Sequence, residues 1–272
     1  MGADGVRTGP NSVEPGRLLA GLMNIQAVHN VSQSSSVDGL KVKIWRGDSV
    51  GAFQNFDIPS RENQTVLDVV TEIQRTQDAT LSYRFACRVG MCGSCAMIVN
   101  GRPRWTCRTR VDELGGNELT LEPLRNFPIV KDLAVDMEIF FDKWKNAHGY
   151  FEPGEKPPAE FAVIEPASSE RRAADEGIEC INCGICYSAC DVVSWNGDYL
   201  GPAALNRAWT LFNDVRDRGQ DERIDAVSGD AGCHSCHSHT SCTEFCPKQL
   251  SPTLSIAGLK RATVARAWKR RR

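Results

Sequence analysis

No run of apolar residues in this sequence approaches the roughly 20 in succession that a helix needs to cross a bilayer, so the chain is not expected to span a membrane by itself. An excess of either charge is also missing. Lys and Arg number 32 against 34 Asp and Glu, for a net charge of −2, and such a balance gives no reason to expect nucleic acid as a partner. A secretory leader is not expected either, because LLAGLM at 18–23 is shorter than a signal h-region. Nor is the opening MGADGVRTGPNSVEPGR rich in Arg or free of acid, since it carries Asp4 and Glu14. That composition argues against a mitochondrial transit peptide.

Cysteine is what the chain has in abundance. Twelve fall in three groups of four, at 87, 92, 95 and 107, at 180, 183, 186 and 190, and at 233, 236, 242 and 246. Thiols two or three residues apart converge on one point, which suits metal centres better than six long-range disulfides. Cluster thiolates also call for a reducing compartment.

The 272 residues suffice for two domains at roughly 100–200 residues each. Residues 1–38, rich in Gly, Ser, Asn and Pro, read as an irregular extension. Lys41–Arg46 alternates with Val42 and Ile44 on one face, and Phe56 and Ile58 repeat the alternation after RGDSVG, predicting a hairpin. Thr65 is placed to cap a helix whose Val66, Leu67, Val70 and Ile73 share a face. Beyond the first cysteine loop come AMIV, an Asn100–Gly101 turn and a strand over 118–124. KDLAVDMEIFFDKWKN (131–146) reads as a helix, followed by a four-proline linker over 149–170. Pro202 suits the first turn of a helix lined by Leu205, Trp209, Phe212 and Val215. The expected fold is an α+β plant-type ferredoxin (β-grasp) domain over 39–130. An all-α, bacterial-type two-cluster ferredoxin domain over 131–272 follows it, built on an internal duplication.

The first group is Cys87-x4-Cys92-x2-Cys95, with Cys107 twelve residues on. This is plant-type ferredoxin spacing and points to a 2Fe–2S cluster. Gly90 and Gly93 let the backbone wrap closely round an anionic group. The other two groups resemble a bacterial two-cluster ferredoxin, in which the fourth cysteine of each run serves the other cluster. By that resemblance Cys180, Cys183, Cys186 and Cys246 hold a 4Fe–4S cluster, and Cys190 joins Cys236 and Cys242. Regular spacing would put another cysteine where His239 stands, so three thiolates are expected to hold a 3Fe–4S cluster. Two alternatives stay open: His239 supplies nitrogen to a fourth iron, or Cys233 completes a 4Fe–4S site.

The motifs SYRFACRVGMCGSCAMIVNG, LEPLRNFPIVKDLAVDMEIFFDKW, CINCGICYSAC, GPAALNRAW and CTEFCPKQLSP occur in that order. With them the chain resembles, over about residues 40 to 260, the iron–sulfur subunits of succinate dehydrogenase and the related fumarate reductases. The resemblance implies an enzyme subunit beside an FAD-bearing flavoprotein and a haem- or quinone-binding membrane anchor. Electrons from succinate would pass to a quinone held at the interface with the anchor. The reducing compartment that cluster thiolates need, with no leader or transit peptide expected, points to the cytoplasmic face of a bacterial membrane. The resemblance also implies quinone-site roles for Trp195 and His237, which read otherwise as an ordinary aromatic and a surface histidine. Departures from the family pattern gather at that end: Asp191 follows Cys190 where proline is common, His239 replaces a small or apolar residue, and Cys233 has no counterpart. Asp191 and His239 are candidates for passing protons to the quinone. The basic tail KRATVARAWKRRR, with seven Lys or Arg, reads either as a solvated terminus or as a contact for anionic headgroups. The competing readings are a fumarate reductase subunit, a partner of a heterodisulfide-reductase-like or glycolate-oxidase-like enzyme, and a zinc-binding scaffold.

Overall fold

The computed structural model describes residues 39–154 and 161–271, so the extension expected over 1–38 lies outside the described residues. Strands β1 (Gly39–Gly47) and β2 (Gly51–Pro59) form the expected hairpin, pairing Val42 with Phe56 and Leu40 with Ile58. Every second residue of β1 turns inward, burying Leu40, Val42 and Ile44. Helix α1 (Val66–Thr76) opens on a capping box in which the Thr65 hydroxyl accepts from Asp68 N and the Asp68 carboxylate accepts from Thr65 N. Such a cap is worth about 1 kcal/mol. Strands β3 (Ala96–Val99) and β4 (Arg102–Trp105) flank Asn100 and Gly101, both at positive φ as a two-residue hairpin requires. Strand β5 (Glu118–Glu122) completes a five-stranded sheet in the order β2-β1-β5-β3-β4, parallel to β1 and antiparallel to β3. Its Leu119 and Leu121 join Ile73, Val99 and the inward residues of β1 in one core.

The segment expected to be helical over 131–146 is helical only in its second half. Strands β6 (Ile129–Lys131) and β7 (Ala134–Val135) make a small hairpin, and α2 begins at Glu138 and runs to Asn146. The reason is Asp132, which sits at φ +54° and is 1 % exposed. Its carboxylate accepts from Gly47 N and Ser82 N, each at 2.8 Å, and pairs with Arg46 at 3.1 Å. These partners come from distant strands and loops, and they outweigh the local helical pattern.

Among the described residues after α2 come the helices α3 (Ser169–Ile178), α4 (Ile185–Ser188), α5 (Asp191–Trp195), α6 (Pro202–Phe212), α7 (Gln220–Val227), α8 (Ser241–Glu244) and α9 (Pro252–Arg270), with a 3-10 turn at Cys233–Ser235 between α7 and α8 and another earlier in the chain at Asp112–Leu114. Pro202 and Pro252 each occupy the first turn of a long helix, where a missing N–H costs nothing. Helix α6 stops at Phe212, so Val215, expected on its apolar face, lies beyond it and is exposed. Buried Asn206 ties three helices together, donating to Gly177 O on α3 and accepting from Ser255 on α9. Gly258 lets α9 lie against α6, because a Cβ there would fall 2.6 Å from the Trp209 ring. A second core runs from Ile98, Leu124 and Phe127 through Tyr187 and Leu205 to Leu259, joining the sheet to the helices without a break. Among the described residues no helix is long and apolar enough to cross a membrane.

Candidate metal centres

The loop between α1 and β3 carries Cys87, Cys92 and Cys95, and Cys107 follows β4. Positive φ at Arg88 and Gly90 turns the loop back on itself. The turn aims the N–H groups of Met91, Cys92 and Val89 at the Cys87 sulfur, at 3.2, 3.3 and 3.5 Å. Cys107 N donates likewise to the Cys95 sulfur at 3.5 Å. A cradle of backbone donors round sulfur is what an anionic cluster uses. The two ends of the loop differ in their electrostatics. Burial opposes ionisation of the Cys92 thiol, yet hydrogen bonds from Ser94 and from the Cys87 amide bring it down to about 6. Burial, with Cys95 alongside, pushes Cys107 up to about 11.

Two cavities among the helices are lined by cysteines. One is lined by Cys180, Cys183, Cys186 and, from the far end of the chain, Cys246. The other is lined by Cys190, Cys236 and Cys242. Each run thus sends one cysteine across to its neighbour's cavity. Burial pushes the thiols of Cys180, Cys190 and Cys242 up, that of Cys183 to about 12 and that of Cys186 well above its ordinary value. Buried apolar thiols of this kind are inert by themselves and give up their protons to a metal.

The two runs are copies in backbone as well as sequence. Asn182 and Gly184 are left-handed at φ +55° and +76°, and Ser238 and Thr240 repeat this at +59° and +65°. A one-turn helix follows each pair, α4 in the first copy and α8 in the second. The left-handed pair brackets Cys183 in the first copy and His239 in the second, so the histidine occupies the position equivalent to a cavity cysteine. His239 lines the second cavity, whereas Cys233 is fully buried and does not.

At the mouth of that cavity three rings form a triangle. Trp195, at the end of α5, stands 6.0 Å from both His237 and His239, and the two imidazoles are 6.1 Å apart, all edge to face. Trp195 is 62 % exposed. Asp191 lines the same cavity, so the four residues singled out around the quinone end do come together.

Other residues at these sites carried no signal in the sequence. Asn126, at φ +67°, donates to Tyr187 O, Ser188 O and Cys190 O and accepts from Ser194. It clamps the chain on both sides of Cys190 from another part of the fold. Lys260 on α9 donates to Cys236 O at 2.7 Å.

Thiols of the second and third groups line cavities, and those of the first sit in a cradle of backbone donors, arrangements that suit iron–sulfur clusters.

The description of a 2Fe–2S iron–sulfur cluster binding domain matches residues 41–142, and that of a 4Fe–4S dicluster domain matches residues 179–251. A fumarate reductase iron–sulfur subunit from Mycobacterium tuberculosis is 34% identical over 223 residues, covering 82% of this chain and 90% of that protein. The succinate dehydrogenase iron–sulfur subunit of Paracoccus denitrificans is 36% identical over 202 residues, covering 74% and 77%. Among solved structures, a chain of the Mycobacterium smegmatis Sdh1 complex in the apo form superposes with a TM-score of 0.76 at 28% identity, covering 85% of this chain and 97% of that one. The molecule therefore has a 2Fe–2S ferredoxin domain followed by a 4Fe–4S dicluster domain.

Proposed function

The chain belongs to the family of iron–sulfur subunits of succinate dehydrogenases and fumarate reductases, and from that premise we propose that it conducts electrons from an FAD-bearing flavoprotein, which oxidises succinate to fumarate, to a membrane quinone. Cys87, Cys92, Cys95 and Cys107 hold a 2Fe–2S cluster. Cys180, Cys183, Cys186 and Cys246 hold a 4Fe–4S cluster, and Cys190, Cys236 and Cys242 hold a 3Fe–4S cluster. Bound there, these clusters supply one-electron redox centres, while the protein sets their spacing, access and surroundings. The crossed lining of the two cavities carries the reading, because it groups the thiols four and three. The absence of Cys233 from the second cavity's lining supports a three-thiolate site.

In this reading a β-grasp domain occupies about 39–130 and a bacterial-type helical domain about 131–272, with 1–38 as an extension. The 2Fe–2S end meets the flavoprotein. The triangle of Trp195, His237 and His239, with Asp191 beside it, faces a quinone held against a membrane anchor on the cytoplasmic face of a bacterial membrane. The outward side of α9 supports that orientation. Arg266 and Arg270 are tied to Asp225 on α7, whereas Arg261, Lys269 and Arg271 have no ion pair among the described residues. They flank exposed Val264, an arrangement suited to anionic headgroups at about 1 kcal/mol per cation.

Iron analysis with EPR tests the assignment. Anaerobically purified chain should carry about nine irons, and the air-oxidised protein should show a paramagnetic 3Fe–4S signal. Zinc in place of iron, or an EPR-silent oxidised state, would sink it. Run in reverse, the same wiring is the fumarate reductase reading, the activity for which the Mycobacterium tuberculosis relative is named. The ratio of succinate oxidation by quinone to fumarate reduction by quinol in the assembled complex decides between them.

A further inference from the structure

The loops of the first and second sites meet at Gly93. Gly93 follows Cys92 directly, and a Cβ built on it would lie 2.5 Å from the Cys183 Cβ, 2.8 Å from its Cα and 3.3 Å from its N. Two of those three atoms are backbone, which no rotamer change can move aside. Gly93 sits at φ +69°, and its carbonyl accepts from Ala96 N, so the loop holds it in this position. Gly93, Cys92, Cys183 and Asn182 also line one common cleft. The glycine's missing side chain is therefore what lets the two metal loops close on each other.

We propose that Gly93 is a spacing residue for electron transfer: its bare Cα sets how near the first centre stands to the second. The inference rests on the ligand sets proposed above, in which Cys92 serves one centre and Cys183 the next. From Cys92 through Gly93 to Cys183 there is a single non-bonded gap. Transfer across it moves one electron, oxidising the first centre and reducing the second, with no proton required. Because tunnelling falls steeply with distance, a methyl group in that gap slows the step even when every ligand remains in place.

Gly101 provides the control. It has nearly the same backbone conformation, φ +76°, but a Cβ there would meet nothing within 4 Å, and it lies in the turn between β3 and β4, outside the cysteine loop. Alanine at either position carries a similar backbone strain, and only the one at 93 pushes on Cys183. Asparagine, which tolerates the left-handed region, relieves the strain at 93 while keeping the clash.

The experiment compares the full-length chain with its clusters in place, fully reduced, as wild type, Gly93→Ala, Gly93→Asn and Gly101→Ala. EPR reads the magnetic interaction between the first two centres, which weakens with the cube of their separation, and iron analysis checks occupancy. Both Gly93 variants should keep their iron and lose part of the spin–spin broadening seen in the wild type, while Gly101→Ala keeps it in full. Wild-type broadening in the Gly93 variants overturns the inference. Equal loss in Gly101→Ala overturns it too, assigning the effect to backbone strain. So does loss of first-site iron in both Gly93 variants but not in Gly101→Ala, which would make Gly93 a residue of the ligand loop alone. A wild type with iron in place and no interaction between the two centres would instead bring down the ligand assignment itself.

Discussion

The guanidinium of Arg223 meets the carboxylate of Asp217 at 2.7 Å with both side chains wholly shielded from solvent. Arg223 also donates to His148 O and Tyr150 O, and Asp217 accepts from the amides of Glu152 and Gly219. One buried pair thus fastens the chain leaving α2 to the start of α7. The extra hydrogen bonds matter, since a buried ion pair recovers its desolvation cost only when its remaining donors and acceptors are matched.

Removing one partner leaves the other charge buried and unmatched. Arg223→Met should therefore destabilise the chain by about 3–5 kcal/mol. Thermal unfolding of the iron-loaded protein checks this, and the double variant Arg223→Met with Asp217→Leu should recover part of the loss. A single variant as stable as wild type would show that solvent reaches Asp217 freely.

Asn126 gives a prediction specific to the third centre. Asn126→Ala strips donors from three carbonyls around Cys190, at a cost of about 1–3 kcal/mol for buried groups left unmatched. The oxidised 3Fe–4S signal should broaden or lose intensity on storage in air, while the 2Fe–2S signal of the reduced protein stays as in wild type. Equal loss at both centres would mean general destabilisation and no local clamp.

What the sequence made legible was local. The alternation of β1, the Thr65 cap, the Asn100–Gly101 turn and the prolines that open α6 and α9 each act within a few residues, so spacing alone exposes them. What it hid was long-range. Asp132 breaks the helical pattern of 131–137 only because Gly47, Ser82 and Arg46 reach it from afar. Asn126 was equally silent, since its partners lie more than sixty residues away. The crossed grouping of the cysteines came from the resemblance of the two runs to a two-cluster ferredoxin. His239 stood out because it breaks the regular spacing of the second run, and the matching left-handed pairs on either side now give that irregularity a backbone meaning.

Charge reversal on α9 tests its outward face. In the Arg261→Glu, Lys269→Glu double variant, binding of the full chain to vesicles containing anionic lipid should weaken by roughly tenfold or more, at about 1 kcal/mol for each cation removed. Binding of the wild type should fall as salt rises, and neutral vesicles should bind both proteins poorly. Arg266→Gln and Arg270→Gln should change binding little, because those side chains are turned toward Asp225. Equal binding by the double variant would leave the face to a protein surface of the anchor.

His239 permits a change in the number of irons. It fills the place that Cys183 fills in the first copy, between residues of matching backbone conformation, and it lines the cavity shared by Cys190, Cys236 and Cys242. A cysteine there needs no rearrangement of the loop to present a fourth thiolate. His239→Cys should therefore take up one more iron, raising the total from about nine to about ten per chain. The oxidised protein should lose its paramagnetic signal and gain one on reduction, as a third centre with four irons requires. The added negative ligand charge should also lower that centre's potential, slowing delivery of electrons to quinone while the first two centres titrate as before. If His239 already binds a fourth iron through nitrogen, the iron count would not rise and the wild type would be EPR-silent when oxidised, so the same pair of proteins separates the two forms of the site.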